Sequence, residues 1–80
     1  MTVAKVYVTL KEDVLDPQGK AVKQSLEALG FRHLRDVRVG KFLELTFENL
    51  EPEVVREEAR RMCERLLANP VIENYRVEVG

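Results

Sequence analysis

Asp36–Glu48, DVRVGKFLELTFE, is the stretch on which the fold turns. Val37 and Val39 alternate with Asp36 and Arg38, and beyond Gly40-Lys41 the residues Leu43, Leu45 and Phe47 alternate with Glu44, Thr46 and Glu48. Successive side chains of a pleated backbone leave opposite faces, so each run reads as a half-buried strand. Gly40-Lys41 between them suits a two-residue hairpin loop, with glycine where φ must be positive. The stretch therefore predicts two strands, with one helical and one extended segment on either side.

Upstream, VAKVYVTL at Val3 to Leu10 alternates again. Ala4, Val6, Val8 and Leu10 are expected to face the core, opposite Lys5, Tyr7 and Thr9. A charged loop, Lys11 to Leu15, leads to a helix start. Asp16 can accept a hydrogen bond from an orphan amide, and Pro17 fits the first helical position. Val22, Ser25, Leu26 and Leu29 follow at helical spacing, and Gly30 supplies a left-handed stop. Gly19 in the first turn has no local reason; a close backbone contact would be one. Phe31 to Arg35 links this helix to the central stretch.

Downstream, Leu50-Glu51-Pro52 opens a second helix, whose apolar stripe is Val55, Ala59, Met62, Cys63, Leu66 and Leu67. Glu57 and Arg61 are spaced for an ion pair on its charged side. Asn69-Pro70 ends it, because proline disfavours helical geometry in the residue before it. Ile72 to Val79 completes the chain as a strand with Tyr75, Val77 and Val79 inward. The order β-α-β-β-α-β predicts an α+β fold: a four-stranded antiparallel sheet with two helices on one face, ferredoxin-like.

Eighty residues make a single domain, 1–80. A chain this short buries only roughly 60–65% of its unfolded surface, so contacts with other subunits would help it. Thirteen basic against fourteen acidic residues exclude a strong general field for nucleic acid or anionic lipid. One cysteine excludes an intrachain disulfide and fits a reducing, cytoplasmic setting. Met1 leads directly into a strand pattern without the features of a signal peptide. No apolar run approaches the ~20 residues of a membrane span.

The chemical inventory is thin. His33 is a lone histidine in a loop, and Cys63 sits on an apolar stripe, where a thiol behaves as a small hydrophobe. One Cys and one His make no familiar zinc site, and no glycine-rich phosphate loop is present. The expectation is no catalytic, cofactor-binding or metal-binding residue in this chain. Phe42 lacks the surrounding aromatic-glycine pattern of an RNA-recognition sheet, and Glu44 and Glu48 oppose phosphate. Tyr7 and Phe42, on the outer sheet face, are candidate dimer contacts.

Three segments, VLDPQGKAV at Val14 to Val22, DVRVGKFLEL at Asp36 to Leu45 and LLANPVIENYRVEV at Leu66 to Val79, together resemble the small PurS subunits of bacterial and archaeal phosphoribosylformylglycinamidine synthase. The resemblance implies a subunit of a ligase complex in purine biosynthesis. That complex uses ATP, magnesium and glutamine to convert formylglycinamide ribonucleotide to its amidine. It also implies a homodimer or dimer of dimers, bridging a glutaminase (PurQ) and a synthetase (PurL) and assisting ammonia transfer. Candidate partner contacts follow in three groups: Asp16, Pro17, Gln18 and Gly19; Arg38, Gly40 and Lys41; and Asn69, Pro70 and Glu73. The alternative is a free-standing regulatory domain of the same topology that senses a small molecule.

Overall fold

The computed structural model describes residues 1–80. Three strands, β1 (Thr2–Leu10), β2 (Gly40–Phe47) and β3 (Glu73–Val79), form one sheet in the order β2-β1-β3. Both neighbours run antiparallel to β1, with Val6 opposite Leu43 on one side and Val77 on the other. The helices are α1 (Pro17–Ala28) and α2 (Pro52–Met62), the latter continuing into a π-helical turn at Cys63–Leu67. No helix is long and apolar enough to cross a membrane.

The expected fourth strand is absent. Residues 36–39 run unbent into β2 but join no strand, and Gly40-Lys41 are not a hairpin loop: Gly40 pairs with Thr9 and Lys41 with Val8. Gly40 does not have a positive φ; Gly30 alone does, at 103°, just past the end of α1. What Gly40 supplies is room, because a Cβ there would lie 2.3 Å from the Val8 carbonyl oxygen. The alternation of Val37 and Val39 is real. The Val39 N–H, however, bonds the Asp16 carboxylate and the Val37 carbonyl lies against Gly19, so neither meets a neighbouring strand.

The helices also do not share the sheet. Val55 and Ala59 of α2 pack on Ala4, and Cys63 and Ala68 pack with Val6 and Val8, so three of the four even residues of β1 are sealed as the pattern predicts, while Leu10 at the strand end is half-buried and outside both clusters. No α1 residue enters either cluster. Instead α1 and the 30–39 return form an arm, and the chain measures 48 × 25 × 14 Å. Its radius of gyration, 15.9 Å, exceeds the about 12 Å of a compact chain of this length. Only nine residues are buried.

Two further differences sit on α2. Cys63 is buried, but Leu66 is 82% exposed and Met62 38%. The cause is the π turn: the Ala68 N–H donates to the Cys63 carbonyl at 3.0 Å, five residues back. This brings Leu67 and Ala68, not Leu66, round to the sheet. Glu57 pairs with Arg60, at 2.8 Å, in place of Arg61.

Candidate partner-binding surface

The end of β1 and the starts of β2 and β3 meet at one end of the sheet, where Thr9 lies opposite both Gly40 and Asn74. The centre of this end is Asp16. Its carboxylate caps α1 by accepting the Gly19 N–H on Oδ1 at 2.9 Å, and it accepts the Val39 N–H on Oδ2 at 2.8 Å. One buried side chain thus fastens α1 to the entry of β2, 23 residues away. These two N–H donors, Val39 foremost, outweigh desolvation and with the Arg38 charge hold the Asp16 carboxyl below the ordinary carboxylate range.

Gly19 now has its reason. A Cβ at this position would stand 2.3 Å from the Val37 carbonyl oxygen, so only glycine lets the first turn of α1 lie against the returning chain. Arg38 reinforces the same junction. Its Nη2 donates to the Lys11 carbonyl at 2.8 Å and the Val14 carbonyl at 3.1 Å, while its Nε stands 4.0 Å from Asp16 Oδ2. The guanidinium therefore holds the loop between β1 and α1.

The other expected groups lie around this junction. Lys41 Nζ donates to the Leu67 carbonyl at 3.0 Å, placing a cation on the unpaired carbonyl end of the π turn. Asn69 organises the turn into β3: its Oδ1 accepts the Val71 N–H at 3.1 Å, and its N–H donates to Glu73 Oε1 at 2.6 Å. The Ile72 carbonyl accepts the Lys11 N–H at 2.9 Å, tying this turn to the end of β1. Asp16, Gly19, Arg38, Lys41, Asn69 and Glu73 thus spend polar groups inside the chain. Pro17, Gln18 and Pro70 are left exposed on the same end.

On the open sheet face, Tyr7 and Phe42 stand opposite each other with ring centroids 5.0 Å apart, and Arg76 lies 4.2 Å above the Tyr7 ring. The Tyr7 hydroxyl donates to Glu78 at 3.1 Å, and Arg76 pairs with Glu78. Phe42 remains 52% exposed. His33 is exposed in the arm, whereas Cys63 is sealed in the core, where desolvation raises its thiol pKa. Sequence reasoning missed Glu64, which accepts the Tyr75 hydroxyl at 2.6 Å and raises its pKa. It also missed the bond from Val39 to Asp16. Neither has a local signal, since each joins separate elements.

No group of three or more His, Cys, Asp or Glu is arranged to hold a metal ion. Such a molecule defines a class: a small three-stranded α+β module whose polar groups mostly brace its own loops and whose sheet face and arm stay open. Residues 3–80 match the family described as PurS, phosphoribosylformylglycinamidine (FGAM) synthase. The chain is similar to the PurS subunit of Bacillus subtilis, 53% identical over 78 residues covering 94% of this chain and 88% of that one. The fold is similar to Methanocaldococcus jannaschii PurS, a subunit of formylglycinamide ribonucleotide amidotransferase in the purine biosynthetic pathway: TM-score 0.90, 39% identity, covering 100% and 96%. It also matches a chain of PurLQS from Thermotoga maritima with a TM-score of 0.86 and 28% identity, covering 100% and 99%. This chain belongs to the PurS family of phosphoribosylformylglycinamidine synthase subunits.

Proposed function

We propose that this chain is the assembly subunit of a cytoplasmic FGAM synthase, joining a glutaminase (PurQ) to a synthetase (PurL) and keeping ammonia on its way between them. The observation that carries the reading is the full-length match to a chain of the Thermotoga PurLQS assembly. The chemistry agrees with it. Free ammonia in neutral water is mostly ammonium, which is no nucleophile, so a closed route between two active sites preserves the reactive form. A bridging subunit needs fixed surfaces and no acid, base or nucleophile of its own.

The surface for the larger partners is the braced end of the sheet, carrying Asp16, Pro17, Gln18, Gly19, Arg38, Gly40, Lys41, Asn69, Pro70 and Glu73. The internal bonds of Asp16, Gly19, Arg38, Lys41, Asn69 and Glu73 support that role, because a rigid, preorganised surface loses less entropy on docking. The chain also associates with itself, as a homodimer or dimer of dimers, and Tyr7 and Phe42 on the open sheet face are its dimer contacts. ATP and magnesium act on the other subunits.

Reconstitution tests this reading. The isolated chain should hydrolyse neither glutamine nor ATP. Added to its glutaminase and synthetase, it should restore glutamine-dependent amidine formation, whereas ammonium salts should support the synthetase without it. Equal glutamine-dependent rates with and without the chain would refute the adaptor role.

A further inference from the structure

The strand β3 forms one margin of the sheet, and backbone parity shows what it leaves unbonded. The Lys11 N–H donates to the Ile72 carbonyl at 2.9 Å and the Gly80 N–H to the Val3 carbonyl at 3.4 Å. In the same register Thr9 lies opposite Asn74, Tyr7 opposite Arg76 and Lys5 opposite Glu78, so the even residues of β3 turn their backbone groups to β1. The odd residues Tyr75, Val77 and Val79 therefore direct N–H and C=O outward, over about 13 Å at ~3.3 Å per residue. No backbone bond of this chain reaches them from that side. Edges of this kind are usually blunted by a proline, a bulge or an inward-pointing charge. Here the register with β1 is unbroken, no proline interrupts the strand, and its inward residues past Glu73 are the half-buried Tyr75, Val77 and Val79.

The side chains along this margin complement themselves. On the open face β3 carries Arg76 and Glu78, which pair within the chain. A two-fold axis at Val77 would set Val77 against its own copy, Tyr75 against Val79 and Arg76 against Glu78. The residues that then exchange backbone bonds are all odd, as the parity requires. Arg76 and Glu78 fall in the pairs without backbone bonds, where facing side chains stand closest and opposite charges attract. Moving the axis by one residue sets Arg76 on Arg76 or Glu78 on Glu78, so the neighbouring registers oppose like charges. The helix layer agrees. Arg56, Arg60 and Glu64 succeed one another at one-turn spacing on the side of α2 next to Tyr75, whose hydroxyl donates to Glu64 at 2.6 Å. That rim offers both signs of charge to a second such rim.

We propose that β3 pairs antiparallel with β3 of a second copy about a two-fold axis at Val77. One symmetric operation bonds every outward group from Tyr75 to Val79 and turns each isolated Arg76–Glu78 pair into an alternating ring of charges shared by the two chains. A second copy is the occupant that the charges select, because its own Arg76 and Glu78 answer those of this strand in one register and clash in the registers beside it. The inference rests on the self-association proposed above and adds to it a contact that runs edge to edge, apart from the Tyr7–Phe42 face. Two separate contacts are what a dimer of dimers needs.

Charge reversal in separate chains tests it. Arg76→Glu alone sets acid against acid across the axis, and Glu78→Arg alone sets base against base. By sedimentation equilibrium each variant should fall to half the mass of the native assembly. In an equal mixture the two variants match across the axis while the pair within each chain stays broken, so the native mass should return. Native mass for either variant alone, or half mass for the mixture, overturns the edge pairing and leaves self-association standing; a native chain that is itself a monomer overturns both. Trapping reads the register, and reads it equally well should a reversed charge impair folding. Chains bearing Arg76→Cys and chains bearing Glu78→Cys, both exposed positions, are mixed, mildly oxidised and analysed by non-reducing electrophoresis and peptide mass mapping. A 76–78 link between chains is the expected result. A disulfide needs Cα atoms within about 7 Å, whereas sheets packed face to face lie ~10 Å apart, so association through the open face alone gives no such link and its absence refutes the pairing.

Discussion

Replacing Gly19 with alanine sets two effects of opposite sign against each other. Glycine within a helix is less favourable than alanine by about 1 kcal/mol, so propensity alone makes the variant more stable. The new methyl, however, would stand 2.3 Å from the Val37 carbonyl oxygen and 2.7 Å from Asp16 Oδ2. Even a close C–H···O contact needs ~3.3 Å, so the returning chain must move by about 1 Å. Both obstructing atoms are pinned. Val37 lies two residues before Val39, whose N–H bonds Asp16, and Asp16 also holds the Gly19 N–H itself. Overpacking costs ~1–3 kcal/mol, and with both obstructing atoms held the cost falls at the upper end, about 2–3 kcal/mol, so the net effect is a loss of about 1–2 kcal/mol. In urea, with a slope of about 1 kcal/mol/M for so small a chain, the midpoint should fall by about 1–2 M. Protein concentration must be held constant, since self-association adds to apparent stability. Gln24→Ala, at an exposed position of the same helix, serves as the control and should change stability by no more than about 0.5 kcal/mol. A Gly19→Ala midpoint equal to or above that of the native chain would refute the close approach of α1 to Val37.

Three other outcomes follow from the same geometry. Gly40→Ala should weaken the β1–β2 pairing, because its methyl would meet the Val8 carbonyl; amide exchange at Lys41 and Val8 should quicken while the β3 side stays protected. The lowered pKa of Asp16 contributes stability that is fully present above the ordinary value of 3.8 and is lost as pH falls through the depressed folded value. Asp16→Asn should therefore be less stable at neutral pH and lose less than the native chain on acidification, as read from denaturation midpoints. Tyr75 should ionise above the ordinary phenol value of 10.0, chiefly because it donates to Glu64. In a Tyr7→Phe background, Glu64→Gln should lower that ultraviolet titration midpoint, and an unchanged midpoint would remove Glu64 as the cause.

Much of the fold was readable in the residues, and the failures have a common origin. The even side of β1, the Asp16-Pro17 start, the Gly30 stop and the Val55-Ala59-Cys63 stripe all depend on neighbours within a turn or a strand, and all stand in the structure. Val37 and Val39 mislead because alternation reports which side chains are sheltered, not what the backbone bonds to. There the Val39 N–H bonds the carboxylate of a distant helix start, and the Val37 carbonyl merely lies close to Gly19. Gly40 misleads for a related reason: glycine serves both unusual φ angles and tight approaches, and only the position of Val8 decides between them. The candidate contacts were assembled from three separate segments, and nothing within those segments indicates that they gather at one end of the sheet. Leu66 fits the helical period and still lies outside, because a π turn leaves no mark in the apolar pattern.

That turn has a consequence for how the chain tolerates length changes. A ring closed from Ala68 to Cys63 contains one residue more than ordinary winding requires, and the surplus is spent on pushing a leucine into solvent. Excising Leu66 would allow regular winding while Leu67 and Ala68 stay beneath the sheet.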